Sequence, residues 1–113
     1  MTSEIKTLLL SIPNVYIGNM PSEPPNSVCL YNTGGYSRSL SGTLLEEPTF
    51  MVKVRNTSYA TGETLCNMIK DLLHGQNTNK ILMIEQQGDI LDIGRDTSNR
   101  QEFSLNFRCY YRR

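Results

Sequence analysis

The amino-acid sequence predicts an α+β fold: one two-layer domain in which a mostly antiparallel sheet is covered by a main helix and a shorter N-terminal helix. Apolar residues recur at helical spacing in one long segment, residues 59–74. Apolar and polar residues alternate over residues 50–55 and 103–111, as half-buried strands require. The length of 113 residues is that of one domain, so residues 1–113 are expected to share a single core.

The N-terminal quarter predicts one helix and two short strands. Apolar residues at helical spacing predict the first helix over about residues 3–12, with Ser3 as its N-cap. Short strands are predicted at residues 15–17 and 28–31. The segment between them, residues 20–26, holds three prolines that favour an extended loop.

Residues 32–48 predict a long polar loop. The segment contains three glycines and several serines, and few of its side chains can pack. Long loops in compact domains are usually functional or disordered. We therefore expect this loop to become ordered against a neighbouring subunit.

The main helix is the best-defined element, predicted over about residues 59–74. Ser58 can cap its start, and His74 with Gly75 supplies a cation and a C′ glycine at its end. This helix is expected to cover one face of the sheet.

The C-terminal third predicts three strands. Residues 80–85 predict a strand, and its apolar run at residues 81–84 is typical of a central strand. Residues 87–89 have turn chemistry, so residues 90–93 are expected to return as a hairpin partner. The alternating segment 103–111 predicts a long strand that runs almost to the end of the sequence.

The composition is that of an ordinary soluble protein. The chain is 38% hydrophobic and 19% charged, and its 11 basic residues balance 11 acidic ones. This balance calls for neither nucleic acid nor an anionic membrane as partner. No apolar stretch reaches the roughly 18 residues of a membrane span, and the N-terminus lacks the pattern of a secretory signal. We expect a soluble protein made in the cytoplasm.

No residue pattern predicts a catalytic, metal or cofactor site. The lone His74 is explained as a cation at a helix C-terminus. The acidic residues around Asp89 and Asp92 match no calcium loop, and strand alternation would point these two to opposite faces. Neither Gly34-Gly35 nor Gly94-Arg95 matches a nucleotide-binding pattern. Neither enzyme activity nor a cofactor is expected.

The three cysteines, Cys29, Cys66 and Cys109, are widely spaced and odd in number. Such spacing forms neither a disulfide framework nor a zinc pattern. Each cysteine lies within or beside an apolar pattern. Buried, reduced thiols are therefore expected.

The C-terminal part holds an asymmetric group of arginines, accompanied by Tyr110 and Tyr111. Arginine and tyrosine are enriched in protein interfaces, and both can stack on nucleic acid. Solvated surface arginine is the alternative explanation. The zero net charge disfavours DNA affinity as the main purpose of this group.

Several segments, taken in order, resemble the tail terminator or minor capsid proteins of long-tailed bacteriophages. The first two are Pro24–Tyr31 followed by Gly34-Gly35, and Glu47–Arg55 leading into Tyr59 and the main helix. The last two are Gly94-Arg95-Asp96 before Arg100, and the closing strand Phe103–Arg113. The similarity spans nearly the whole chain.

The resemblance implies an α/β fold and a structural role in the virion. It implies a homohexameric ring at the head-proximal end of the tail, at the head–tail junction. Such a ring would stop polymerisation of the tail tube protein and present a surface to a head-completion or connector protein. Double-stranded DNA would only pass through as cargo. The family supplies no catalytic residues.

A ring subunit needs two different surfaces that meet head to tail. The long loop and the arginine-rich final strand are the candidates. The candidate interface residues are Tyr36, Arg38, Leu40, Leu44, Arg95, Arg100, Arg108, Tyr110 and Arg112. Two alternatives stay open: another head–tail connector or neck protein, and a small enzyme that uses Asp89, Asp92 and His74.

Overall fold

The computed structural model of the protein describes residues 1–36 and 45–112. In these residues the chain forms two helices and one five-stranded sheet. In chain order the elements are α1 (Thr2–Leu8), β1 (Val15–Ile17), β2 (Ser27–Tyr36), β3 (Leu45–Asn56), α2 (Tyr59–Leu73), β4 (Ile81–Arg95) and β5 (Gln101–Arg112).

The sheet has the strand order β1-β2-β3-β5-β4, and it is mostly antiparallel. Strand β1 runs parallel to β2, whereas β2–β3, β3–β5 and β5–β4 are antiparallel pairs. The final strand β5 therefore lies inside the sheet, between β3 and β4. The predicted α+β class, with a mostly antiparallel sheet and two helices, is confirmed.

The core lies between the sheet and the helices. Alternating residues of the three central strands point to this side and pair across the sheet, as Phe50 does with Phe107 and Val52 with Leu105. The rings of Phe50 and Phe107 stack with centroids 5.2 Å apart. Helix α2 covers them with Cys66, Ile69 and Leu73, all fully buried. We call this side of the sheet the helix face and the opposite side the outer face.

Helix α2 begins where it was predicted to begin. The Ser58 Oγ accepts a hydrogen bond from the Thr61 N–H at 3.3 Å, so Ser58 is the N-cap. The helix ends at Leu73, one residue before the predicted end. Gly75 follows with φ of +77°, the left-handed conformation in which a glycine is favoured after a helix.

Helix α1 is shorter than predicted, because it ends at Leu8 instead of residue 12. Beyond it the chain tightens into turns with i→i+3 hydrogen bonds, such as Ile12 N–H to Leu9 O at 2.9 Å. These turns still bury Leu9 and Ile12, which explains why the apolar pattern continues. Ser3 is not the N-cap, since Met1 occupies that position.

The predicted loop over residues 32–48 is wrong at both of its ends. Residues up to Tyr36 continue β2 and residues from Leu45 begin β3, so the two strands pair over a long hairpin arm. Gly34 and Gly35 are strand residues. Gly35, at φ of +118°, lies so close to the Glu47 and Pro48 backbone that a Cβ would clash. Residues 37–44 lie outside the described residues.

Two predictions for strand β4 are wrong. It is an edge strand instead of a central one, and it runs unbroken through the predicted turn at 87–89. Its pairing with β5 shifts between Gln87 and Leu91, where β4 carries two more residues than its partner. This bulge contains the turn-like residues 88–89 within the strand, and Gly88 adopts a φ of +72° there.

The proline-rich segment 18–26 crosses over the outer face as it connects β1 to the parallel strand β2. The buried Arg55 holds it, donating from Nε to Pro25 O at 3.0 Å and from an NH group to Pro24 O at 2.7 Å. Part of the outer face is thus covered, and Cys29 on that face is fully buried.

Candidate subunit interface

The structure divides the predicted arginine-tyrosine surface between two ends of the sheet. Arg112 pairs with Leu45 at one end of β5, whereas Gln101 pairs with Arg95 of β4 at the other. These ends are about 36 Å apart along the strand. Arg95 and Arg100 therefore belong to one surface, and Arg112 belongs to another.

Four of the predicted residues lie at the end of the sheet where Tyr36, Leu45 and Arg112 meet, which we call the hairpin end. Tyr36 pairs through its backbone with Glu47. By strand alternation, Arg108, Tyr110 and Arg112 share the outer face of β5 as it approaches this end. Arg112 is exposed and the other two are half-buried. Arg38, Leu40 and Leu44 lie outside the described residues.

Arg100 at the far end is engaged within the chain. Its Nε donates to Asp96 Oδ2 at 2.8 Å, and an NH group donates to Ser22 O at 2.6 Å. Asp96 also accepts from the backbone N–H groups of Ser98 and Arg100, both at 2.9 Å. These bonds hold the pKa of the Asp96 carboxyl below its usual value. They fix the β4–β5 turn and tie it to the proline-rich segment.

Arg95 lies next to this turn and is exposed. Its guanidinium donates to Asn99 O at 2.7 Å. This bond spans the ends of the same turn, so Arg95 borders the surface that Arg100 supports.

A cleft of about 290 Å³ opens between α2 and β4. It brings Asp89 and Asp92 to one side of β4, against the alternation that predicted opposite faces, because the bulge after Gln87 breaks the alternation. Tyr59 and Phe103 form its aromatic wall, with ring centroids 5.2 Å apart. Glu63, Asn67, Lys70 and Ile90 complete the lining.

Three charged groups of this cleft, those of Lys70, Asp89 and Asp92, have partners within the chain. Lys70 Nζ lies 3.0 Å from Asp89 Oδ1, and the Ile90 N–H donates to the same oxygen at 2.7 Å. The Ile90 N–H and then Lys70 lower the pKa of Asp89. Asp92 Oδ1 accepts from the Gly94 N–H at 2.9 Å and from the Gln101 side chain. The nearby Asp92 charge raises the pKa of Tyr59.

His74 does not line the cleft, so the three residues of the enzyme hypothesis are not assembled there. Its Nδ1 accepts a hydrogen bond from the Gln86 N–H of β4 at 3.2 Å. His74 therefore forms a hydrogen bond with the edge strand β4. The sequence analysis had predicted only a cation at the helix C-terminus for this residue.

The cysteines are buried and free, as predicted. Burial raises the pKa of the Cys66 thiol to about 12 and that of Cys109 to about 11. Within residues 1–36 and 45–112, no three or more histidine, cysteine, aspartate or glutamate side chains are grouped to hold a metal ion. Neither helix of this part of the chain is long and apolar enough to cross a membrane.

The sequence analysis missed a set of exposed apolar side chains at the sheet edges. Strand β4 exposes four of them: Leu82, Met83, Leu91 and Ile93. At the opposite edge Leu10 and Ile17 are exposed. The apolar run at residues 81–84 was the available signal, but it was interpreted as a central strand.

A two-layer subunit whose sheet edges expose apolar side chains is suited to assembly with other subunits. Comparison with known proteins agrees. The family model of the bacteriophage tail terminator protein matches residues 4–113. Since the match spans nearly the whole sequence, the chain belongs to the bacteriophage tail terminator family, and the resemblance inferred from the sequence is confirmed. It is a structural tail protein of a phage.

The fold also occurs in a solved structure. A chain in the virion of a native gene transfer agent particle superposes with a TM-score of 0.64 at 13% sequence identity. The alignment covers 96% of this chain and 84% of that chain. This likeness shows a common fold. No curated protein sequence matches the chain significantly.

Proposed function

We propose that residues 1–113 act as one tail-terminator domain that assembles into a ring at the head-proximal end of the phage tail. The ring ends polymerisation of the tail tube and presents the surface to which a head-completion or connector protein binds. Membership of the tail terminator family over residues 4–113 is the observation that carries this proposal. The subunit number of six follows from the resemblance to that family.

The geometry of the subunit supports assembly. The molecule is elongated, 48 × 24 × 23 Å, so it has distinct ends and edges. A ring needs two different patches per subunit, and the two sheet edges and the hairpin end are separate surfaces. We assign contacts with the tube or the connector to the hairpin end. The candidate residues Tyr36, Arg108, Tyr110 and Arg112 lie at this end, and Arg95 and Arg100 belong to the far end. The candidates Arg38, Leu40 and Leu44 lie outside the described residues.

The protein acts by binding other proteins instead of by catalysis. Asp89, Asp92 and His74 each have structural partners, and His74 does not line the cleft that holds Asp89 and Asp92. DNA passes through the ring without being held, since the equal numbers of acidic and basic residues give the phosphates little net attraction. The protein needs no cofactor and resides in the virion at the head–tail junction.

Polymerisation of the cognate tail tube protein tests the proposal. The purified protein, added to growing tubes, should stop elongation and label one end of each tube in electron micrographs. Tubes that elongate equally with and without the protein would overturn the proposal. Labelling in particles separates this function from that of a neck protein, because a neck protein would remain on tailless heads.

A further inference from the structure

The exposed apolar residues of the described chain are concentrated at the two opposite edges of the sheet. Leu91 and Ile93 on β4 are 58% and 49% exposed. Leu10 and Ile17, beside and on β1, are 80% and 43% exposed. These edges are about 19 Å apart, four strand spacings, so the two patches face away from each other.

The two edges differ in charge. Beside β4, the cleft is lined by three carboxylates, Glu63, Asp89 and Asp92, and by one cation, Lys70. Beside β1, a hollow of about 230 Å³ is lined by Lys6 and Asn14 with Leu10, Tyr16 and neighbouring apolar residues, and it includes no carboxylate. One edge is thus apolar and acidic, and the other is apolar and basic.

The edge backbone of β4 is engaged at points in both of its halves, which limits how a partner can bind. In the first half, the Gly75 N–H donates to Ile84 O at 2.8 Å, and His74 accepts from Gln86. In the second half, the Asp89 and Asp92 carboxylates accept from the N–H groups of Ile90 and Gly94. Addition of a strand is disfavoured by these bonds and by the bulges.

From these observations we infer that the β4 edge of one subunit docks through side chains, without strand addition, onto the α1–β1 edge of a second copy of this chain. Leu91 and Ile93 pack against Leu10 and the hollow beside Lys6, and the carboxylates of the cleft face Lys6. The contact joins different surfaces of the two copies, so its repetition closes a ring or forms a filament. The inference rests on the proposed ring and names the surfaces that build it.

Cysteine cross-linking tests this contact. Because all three native cysteines are buried, introduced cysteines at exposed positions are the reactive ones. The double variant L10C/L91C should give a ladder of cross-linked oligomers on oxidation, both at high concentration and on purified tails. The single variants L10C and L91C should each stay uncross-linked. Dimers of either single variant would show a two-fold contact and overturn the inference.

Substitutions measure the same contact independently. Leu91→Asp should weaken self-association about tenfold, since a buried apolar anchor carries much of the energy of an interface. Met51→Asp is the matched control. Met51 is half-buried on the outer face of β3, which is two strands away from either edge of the sheet, and its replacement should leave self-association unchanged. Equal effects of the two substitutions, in variants with native circular dichroism, would overturn the inference.

A failure of this inference is distinguishable from a failure of the proposed function. If the protein ends tube growth but L10C/L91C gives no ladder on tails, the ring uses other surfaces and the inference is wrong. If the ladder forms but tube growth continues, the contact stands and the terminator function is wrong.

Discussion

Asp96 and Arg100 show how single residues of this protein serve the fold even where the sequence suggests a surface role. Arginines near the C-terminal strand predicted an interface. The guanidinium of Arg100 instead lies between Asp96 and the Ser22 carbonyl, with the side chain 14% exposed. A charged group with its hydrogen bonds directed into the chain contributes first to the turn that it closes.

Asp96→Asn should destabilise the protein in a way that depends on pH. The pKa of Asp96 is lowered in the folded protein, mainly by the Arg100 backbone N–H. The stabilisation from its carboxylate is therefore fully present above the ordinary aspartate pKa of about 3.9. It is lost as the pH falls through the lowered folded value. Denaturation curves should show a deficit at pH 7 that shrinks below about pH 4.

Asp71→Asn serves as the control for this prediction, because it removes an exposed carboxylate of α2 that lies outside the turn. It should cost less stability at pH 7 than Asp96→Asn. An Asp96→Asn deficit that stays the same down to pH 2 would contradict the assigned role of the Asp96 carboxylate.

The thiols should be unreactive in the native protein. Cys66 and Cys109 have pKa values raised by burial to about 12 and about 11, and Cys29 is fully buried. Because the thiolate is the reactive form, alkylation at pH 8 should be slow. Unfolding in denaturant should expose all three thiols to fast alkylation, counted by mass spectrometry. Rapid modification of the native protein would show that the sites open.

At the scale of the elements, local patterns predicted helix α2 and strand β5 well. Helical spacing and the Ser58 cap defined α2, and alternation over residues 103–111 defined most of β5. Both signals arise within one segment, because one face of each element is buried. Elements of this kind can be predicted without knowing their partners.

The predictions for strand β4 and the hairpin arm failed because both depend on pairing between distant segments. Gly88 was interpreted as part of a turn and Gly35 as part of a loop, yet both are accommodated within strands by the pairing to a neighbour. The register that places Arg95 and Arg112 at opposite ends also depends on distant pairing. For this reason the candidate residues could be named from the sequence, but their grouping into surfaces could not.

Packing of α2 on the sheet should depend on Gly62. A Cβ built there lies 2.6 Å from Phe103 Cε2 and 3.2 Å from Asn56 Cβ. Phe103 is buried and also contacts Tyr59, so its ring cannot move freely. The overpacking in Gly62→Ala should cost about 1–3 kcal/mol, against a gain in helix propensity of about 1 kcal/mol. We expect a net loss of unfolding free energy in denaturant titrations.

Two variants make this prediction specific. Thr64→Ala, at an exposed position of the same helix, should change the unfolding free energy by no more than about 0.7 kcal/mol. Phe103→Leu combined with Gly62→Ala should cost less than the sum of the single changes, because the smaller side chain makes room. A gain in stability from Gly62→Ala alone would contradict the close packing.

At the scale of the whole molecule, the family and the fold give the subunit its place in the tail, and the surfaces give it the means to assemble. The two sheet edges carry exposed apolar residues, and the elongated shape holds the hairpin end apart from the far end of the sheet. In the proposed assembly, one small domain contacts neighbouring copies through its edges and other tail components through its ends.

Electron microscopy of the purified protein, alone and with tail tubes, tests this account most directly. We predict rings with a central hole whose diameter fits the tube, seated on one end of each tube, either preformed or assembled there. A protein that stays monomeric at high concentration and leaves both tube ends bare would contradict the account.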